Sequence, residues 1–357
     1  MLKADSLPGR TLLAPDGRQY LYCSGTGYLG TARNPAFAAL LAEGLSRYGT
    51  NYGASRHGPL QLRVYDEAEA YLAEYVGLPA ALTVSSGYLA GQMAVKALAR
   101  AGRFEYAPGT HPAAWITDHP APVGSTRSFA DWARHLLRRL QHETPQPVVI
   151  VANSLDPLRV QRYDFQWTRE LPTDRPVTLL IDDSHGLGVI GPDGAGIRNE
   201  IEVPGSVRLV VVSSLAKACG VPGGAVLAEA RFIEELRRSA FFGASSPVVP
   251  AYLYAFLQAQ ELYREARAQL TANTRLFQEA TAGLGLFQSA PDFPVFYALR
   301  PGLAAFMEEQ DVLISSLNYP TPDDAPITRV VLSALHTSDD VARVAALAAA
   351  FAATTLA

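Results

Sequence analysis

Val177-Thr178-Leu179-Leu180-Ile181 runs straight into Asp182-Asp183-Ser184-His185-Gly186, so five apolar or β-branched residues end in two carboxylates. Residues 177–181 read as a buried strand from their length and the turn-forming residues that follow. An acid at the end of such a strand is costly unless something pairs with it. The pattern returns at Leu209–Val212, which leads into Ser213-Ser214-Leu215-Ala216-Lys217-Ala218-Cys219-Gly220, a lysine flanked by small side chains. Further short apolar runs occur at Ala81–Val84, Val148–Val151 and Ala225–Ala228, most of them separated by helical or turn-rich stretches. Strands spaced in this way build a mainly parallel sheet covered by helices, so the expected class is α/β. Ligands of open α/β sheets bind beyond the carboxyl ends of the strands, and the loops carrying Asp182 and Lys217 should converge there.

A third loop belongs to the same edge. Ser85-Ser86-Gly87-Tyr88 follows Ala81–Val84 and enters the helical pattern Leu89–Leu98. Glycine permits a tight turn, and the open amides of a helix start suit a phosphate, although a Ser-Gly start also serves simply as a cap. From about Pro247 the pattern changes to a long helical stretch through Leu286. Strand-like segments follow at Phe293–Leu299 and Thr328–Leu332, and an alanine-rich helix covers Val341–Ala357. This divides the chain into an N-terminal segment (1–50), a large ligand-binding domain (51–246) and a small C-terminal α+β domain (247–357), in keeping with its 357 residues.

Composition narrows the partners. Hydrophobic residues are 48% and charged residues 18% of the chain, and the net charge of −4 offers no basic field for nucleic acid. No apolar run is long enough for a signal peptide or a membrane span, so the expectation is a cytoplasmic protein with no membrane partner. Cys23 and Cys219 lack the spacing of a metal or redox motif and read as two reduced thiols, with no metal site signalled.

Taken singly, Lys217 is a surface cation and Asp182 a cap. Taken together, a lysine on one strand end and an aspartate on the next fit a pyridoxal 5'-phosphate site, with Lys217 forming the Schiff base and Asp182 partnering the pyridinium nitrogen. Cleaving a bond at an amino acid's Cα leaves a carbanion that needs an electron sink, and a buried carboxylate holds the ring nitrogen in its protonated, electron-withdrawing form. Ser86, Gly87, Tyr88 and Ser214 are the expected phosphate anchors. A rival fingerprint, Gly186-Leu187-Gly188-Val189-Ile190-Gly191, has dinucleotide spacing in the wrong context. Four residues separate strand from first glycine, and Pro192-Asp193-Gly194-Ala195-Gly196 stands where a helix should begin.

With these residues in place, the sequence resembles the α-oxoamine synthases, pyridoxal enzymes of fold type I. Tyr28-Leu29-Gly30 resembles the family's YLG segment, and Tyr52-Gly53-Ala54-Ser55-Arg56 its GSR turn. Ser86-Gly87-Tyr88 is similar to the phosphate-binding SGY or SGF. Asp182-Asp183-Ser184-His185 is similar to DEAH, Ser214-Leu215-Ala216-Lys217 to TLSK, and Arg329 with Val330–Ser333 and His336 to the C-terminal substrate segment. The resemblance implies that His111 stacks on the cofactor ring, that His185 lies near its 3'-oxygen, and that Arg329 binds the substrate carboxylate. It further implies a homodimer in which Ser245 or Ser246, within Phe242-Gly243-Ala244-Ser245-Ser246-Pro247, reaches the partner's phosphate.

There are departures. The family's asparagine before YLG aligns with Thr26 or Gly27, and Asn153-Ser154-Leu155-Asp156-Pro157-Leu158 replaces EGxxSMDG, placing Pro157 where a serine would meet the 3'-oxygen. The leading expectation is a PLP-dependent acyltransferase that condenses an amino acid with an acyl-CoA, with Thr26 and Arg329 toward the substrate. The alternative is an aminotransferase or another Cα-chemistry enzyme that needs no thioester. A third reading is a non-catalytic protein that kept the cofactor fold.

Overall fold

The computed structural model describes residues 3–117, 128–319, 321 and 323–354. Its centre is a six-stranded sheet ordered Ala80–Val84, Gly224–Ala228, Val207–Ser214, Val177–Asp182, Val148–Asn153, Arg103–Tyr106. The last four are mutually parallel, and Gly224–Ala228 runs antiparallel to both neighbours. Val148–Asn153 and Val177–Asp182 are buried at every position, which explains why both faces of these strands are apolar. Asn153, Asp182 and Val212 lie side by side in register, so two strands finish level and the third runs two residues further to Ser214, delivering all three loops to one edge.

Helices cover this sheet with faces written in the sequence. Residues Arg63–Val76 bury Val64, Tyr65, Ala68, Leu72, Ala73 and Val76, a helical stripe in which each large side chain contributes about 1.5–3 kcal/mol. Glu69 lies on that same inward face, and its carboxylate is fully engaged. Arg56 donates at 3.0 Å, and the amide and hydroxyl of Thr83 each donate at 2.8 Å. The Arg56 guanidinium also stacks 4.0 Å over Tyr65. This buried ion pair fastens the turn at 52–56 to the strand Ala80–Val84; removing one partner of such a pair costs about 3–5 kcal/mol.

A second six-stranded sheet has the order Thr11–Leu13, Gln19–Cys23, Val312–Asn318, Pro326–Val331, Val295–Ala298, Phe287–Ser289. Two of its strands come from the N-terminal segment, and Leu21–Cys23 pairs in parallel with Val312–Ile314. The long helical stretch expected from Pro247 to Leu286 is two helices, Pro250–Gln258 and Gln260–Thr281. They part at Ala259, whose amide closes a short turn on the Phe256 carbonyl. The terminal helix starts at Ser338, and Thr337 and Asp340 cap it reciprocally. Among the described residues no helix is long and apolar enough to cross a membrane.

Candidate active site

Ser86 ends the turn after Ala80–Val84 and caps the helix Gly87–Ala97, its hydroxyl accepting from the Leu89 amide at 3.1 Å. The first amides of a helix have no intrahelical acceptor, so those of Gly87 and Tyr88 remain available. A Cβ at Gly87 would stand 2.5 Å from the Ser214 Cβ, and one at Gly224 would stand 2.3 Å from the Ser86 carbonyl oxygen. The loop of Ser86 and the loop leading to Lys217 therefore touch, and they can do so only with glycine at these positions. Tyr88 points outward, 57% exposed, so its backbone rather than its ring faces this corner.

Asp182 closes its strand and turns immediately. Its carboxylate accepts from the Ser184 amide at 3.0 Å, and the Ser184 hydroxyl in turn accepts from the Ser214 amide at 2.9 Å. This short relay ties the aspartate loop to the lysine strand. Lys217 follows in a tight loop held by Leu215 and Val221 amides and by the Thr31 hydroxyl on the Ala218 carbonyl. Burial lowers its amine to a pKa of about 8, against the pull of Asp182. The lysine also borders a cavity of about 190 Å³ that it shares with Thr26, Gly27, Ser333 and Leu335.

His111 caps a short turn, with its Nδ1 accepting from the Ala113 amide at 3.1 Å. Asn153 holds that loop from the strand end beneath it. Its side chain accepts from the His111 amide and donates to the Gly109 carbonyl. His185 lies three residues beyond Asp182, and the Tyr28 hydroxyl is 2.7 Å from its Nδ1. Burial holds both histidines below their usual pKa; Lys217 adds to this in each case, and Arg329 adds to it at His185. Asp183 is the inverse case. It is 1% exposed, and Cβ atoms at Gly186 and Gly196 would stand 1.9 and 2.0 Å from its oxygens. Burial raises it to about 7 despite donors from Ser154 and the Ile197 amide.

Arg329, 8% exposed, reaches the same edge from the second sheet. Its Nη1 donates to the Pro157 carbonyl at 2.7 Å and its Nη2 to the Ser315 hydroxyl at 3.3 Å, while Nε is buried without a partner. The altered segment around Pro157 thus offers an acceptor to the arginine. Residues 186–196, with dinucleotide-like spacing, form tight turns and a 3-10 turn rather than a helix start. Lys217, Asp182 and His111 thus act on one another electrostatically, and Lys217, His111 and Arg329 all act on His185. Ser245 is not part of that group within the chain, since its hydroxyl donates to the Phe242 carbonyl, and Ser246 is exposed.

A family model described as aminotransferase class I and II matches residues 162–347. The 8-amino-7-oxononanoate synthase of Nitrosomonas europaea is 31% identical, over 93% of this chain and 89% of that protein. That of Azoarcus sp. is 29% identical over 96% and 91%. The chain belongs to the α-oxoamine synthase family. It is a pyridoxal phosphate-dependent transferase of the acyltransferase type. Among solved structures, the fold matches a serine palmitoyltransferase from S. paucimobilis carrying a PLP–myriocin adduct, with TM-score 0.82, 16% identity, and 99% and 92% of the two chains covered. It also matches 8-amino-7-oxononanoate synthase from Francisella tularensis, with TM-score 0.72, 18% identity, and coverage of 95% and 99%.

The residues fit an α-oxoamine synthase cofactor on their own chemistry. An amine of lowered pKa, a strand-end carboxylate and two open helix amides stand along one edge, and an unpartnered guanidinium Nε is available nearby. Asn153 and Ser184 hold this arrangement and were not singled out from sequence as site residues. Their only sequence signal is position, at or just beyond the end of an apolar run.

Proposed function

We propose that this protein joins an amino acid to an acyl-CoA, forming an α-amino ketone with loss of carbon dioxide and free thiol, as an 8-amino-7-oxononanoate synthase does. The observation that carries this reading is Lys217 in the field of Asp182, with His185 in the field of both Lys217 and Arg329 from the second sheet. When bound, pyridoxal phosphate supplies the electron sink for a carbanion at the amino acid's Cα. In this reading Asp182 holds a proton on the ring nitrogen, and the helix start at Ser86–Tyr88, with Ser214, holds the phosphate. His111 covers the ring, and the free Nε edge of Arg329 orients the substrate carboxylate. Lys217 would anchor the cofactor and, as a free amine beside the substrate's Cα, would move the Cα proton. Thr26, on the cavity that borders the lysine, lies where a second substrate can approach.

Free thiol released from acyl-CoA, measured against a panel of amino acids, tests this directly. Alanine with a seven-carbon dicarboxylic thioester is the first pair to try, because those parts make up 8-amino-7-oxononanoate. Thiol release that requires both substrates is the expected result. Amino-group transfer to a keto acid without thiol release would favour the aminotransferase reading, to which the altered segment at 153–158 also points.

The protein is also proposed to be a cytoplasmic homodimer whose sites are completed across the interface by Ser245 or Ser246. These serines do not start the helix that follows. That helix begins at Pro250 with Val249 as its cap residue, and the Ser245 hydroxyl turns back to Phe242. Replacing both serines by alanine is expected to weaken cofactor binding about tenfold or more, the value of one hydrogen bond to a charged group. Thermal stability should change little. Cofactor absorbance titrated against protein concentration, alongside sedimentation, checks this; a monomer that keeps full cofactor occupancy would count against it.

A further inference from the structure

Tyr28 belongs to the N-terminal segment, yet its hydroxyl lies inside the site. It is 2% exposed, and its ring packs edge-on against Phe293 with centroids 5.8 Å apart. Its position is set by backbone: the Tyr28 carbonyl accepts from the Ala334 amide at 2.8 Å, and Gly30 closes a turn on Gly27 at 2.9 Å. From there the hydroxyl meets His185 Nδ1 at 2.7 Å.

We propose that Tyr28 is a positioning residue that holds His185 in its Nε2–H tautomer, so that a hydrogen-bond donor faces the cofactor's ring oxygen. This rests on the reading above, in which His185 lies beside that oxygen. A neutral phenol has one proton to give, and no other acceptor for it is seen among the described residues. If the phenol donates to Nδ1, the single proton of a neutral imidazole must sit on Nε2. Both groups are neutral for physical reasons. Burial raises the Tyr28 phenol, and burial together with Lys217, Arg329 and His111 lowers His185 well below its usual range. In the opposite arrangement, with Nδ1–H donating to Tyr28, Nε2 would present a bare lone pair to an anionic oxygen, which is repulsive.

Ring-labelled histidine distinguishes the two arrangements, since a protonated and a bare ring nitrogen differ in ¹⁵N shift. Comparison with His185→Gln identifies the His185 signals. The wild-type protein, before cofactor is added, should show a proton on Nε2 and none on Nδ1, and Tyr28→Phe should bring Nδ1–H into the population. A wild-type Nδ1–H, or tautomer populations unchanged in Tyr28→Phe, would overturn the proposal. The holoenzyme supplies a second readout. Tyr28→Phe should shift the pH midpoint of the bound cofactor's absorption and lower kcat/KM for the amino acid about tenfold, the worth of one hydrogen bond. In a His185→Gln background the same substitution should do neither. Additive effects would show that Tyr28 acts independently of His185. A correct tautomer with no cofactor spectrum at all would instead count against the site reading and leave the Tyr28–His185 pairing intact.

Discussion

Lys217→Ala is expected to eliminate turnover, with a loss on the order of 10⁴-fold or more, because one side chain both attaches the cofactor and moves the substrate proton. The wild-type protein should be yellow, and borohydride should fix the cofactor to a peptide containing Lys217. The alanine variant should bind cofactor more weakly and release it on denaturation. Mapping the reduced adduct to Lys96 instead would place the site elsewhere. The lowered pKa adds a pH signature. With an amine near 8, the neutral, nucleophilic fraction grows as pH rises through about 8 and is nearly complete by pH 9 to 10. An ordinary lysine amine reaches that state only above pH 10. The rate of cofactor incorporation into cofactor-free protein should therefore rise between about pH 7 and 9 and then level off. A rate still climbing at pH 10 would show that the burial of Lys217 does not set its reactivity.

Asp182→Asn is expected to keep most cofactor binding but to cost about 10²–10³-fold in kcat, the typical loss when a preorganised electrostatic partner is removed. The amide preserves shape and can still accept from the Ser184 amide, so the relay to Ser214 survives. What it cannot do is hold a positive charge on the ring nitrogen. The two effects separate experimentally: cofactor affinity by absorbance should move little, while exchange of the substrate's Cα proton with solvent deuterium should fall with kcat. Near wild-type exchange would mean that another group serves the nitrogen. Asp183 is the neighbour to examine then, although its clamp between Gly186 and Gly196 turns it away from that task.

The parts of this architecture legible in the sequence were those written as continuous apolar runs. Val177–Asp182 and Val148–Asn153 are buried on both faces, so no charge falls inside either run before its end, and the loops that follow could be placed from the sequence. Val312–Asn318 was missed. Only Val312 and Ser315 are fully buried and its last three residues, Ser316, Leu317 and Asn318, are exposed, so no buried apolar run marks it, and its two neighbours in the sheet come from opposite ends of the chain. The N-terminal strands escaped for the same reason: Thr11–Leu13 has only three residues, and its partner strand joins a sheet whose other members lie beyond residue 286. Within the site, Lys217 and Asp182 stood out because each is a charge ending an apolar run. Pro157 was read for the donor it lacks, whereas it is the carbonyl, which every residue carries, that meets Arg329.

The parallel pairing of Leu21 with Val312 also constrains when this enzyme can exist. The hairpin of Thr11–Leu13 and Gln19–Cys23 leaves the ribosome about 290 residues ahead of its mate, Val312–Asn318. At 5–20 residues per second that is a wait of about 15 to 60 s with one hairpin edge unpaired. Thr26 and Gly27, which help to wall the cavity beside Lys217, extend directly from that waiting strand. A chain cut short of Val312 lacks both Arg329 and the strand on which the N-terminal wall rests. Catalytic competence should thus arrive only once Val312–Asn318 and Arg329 have joined the sheet that the N-terminal hairpin began.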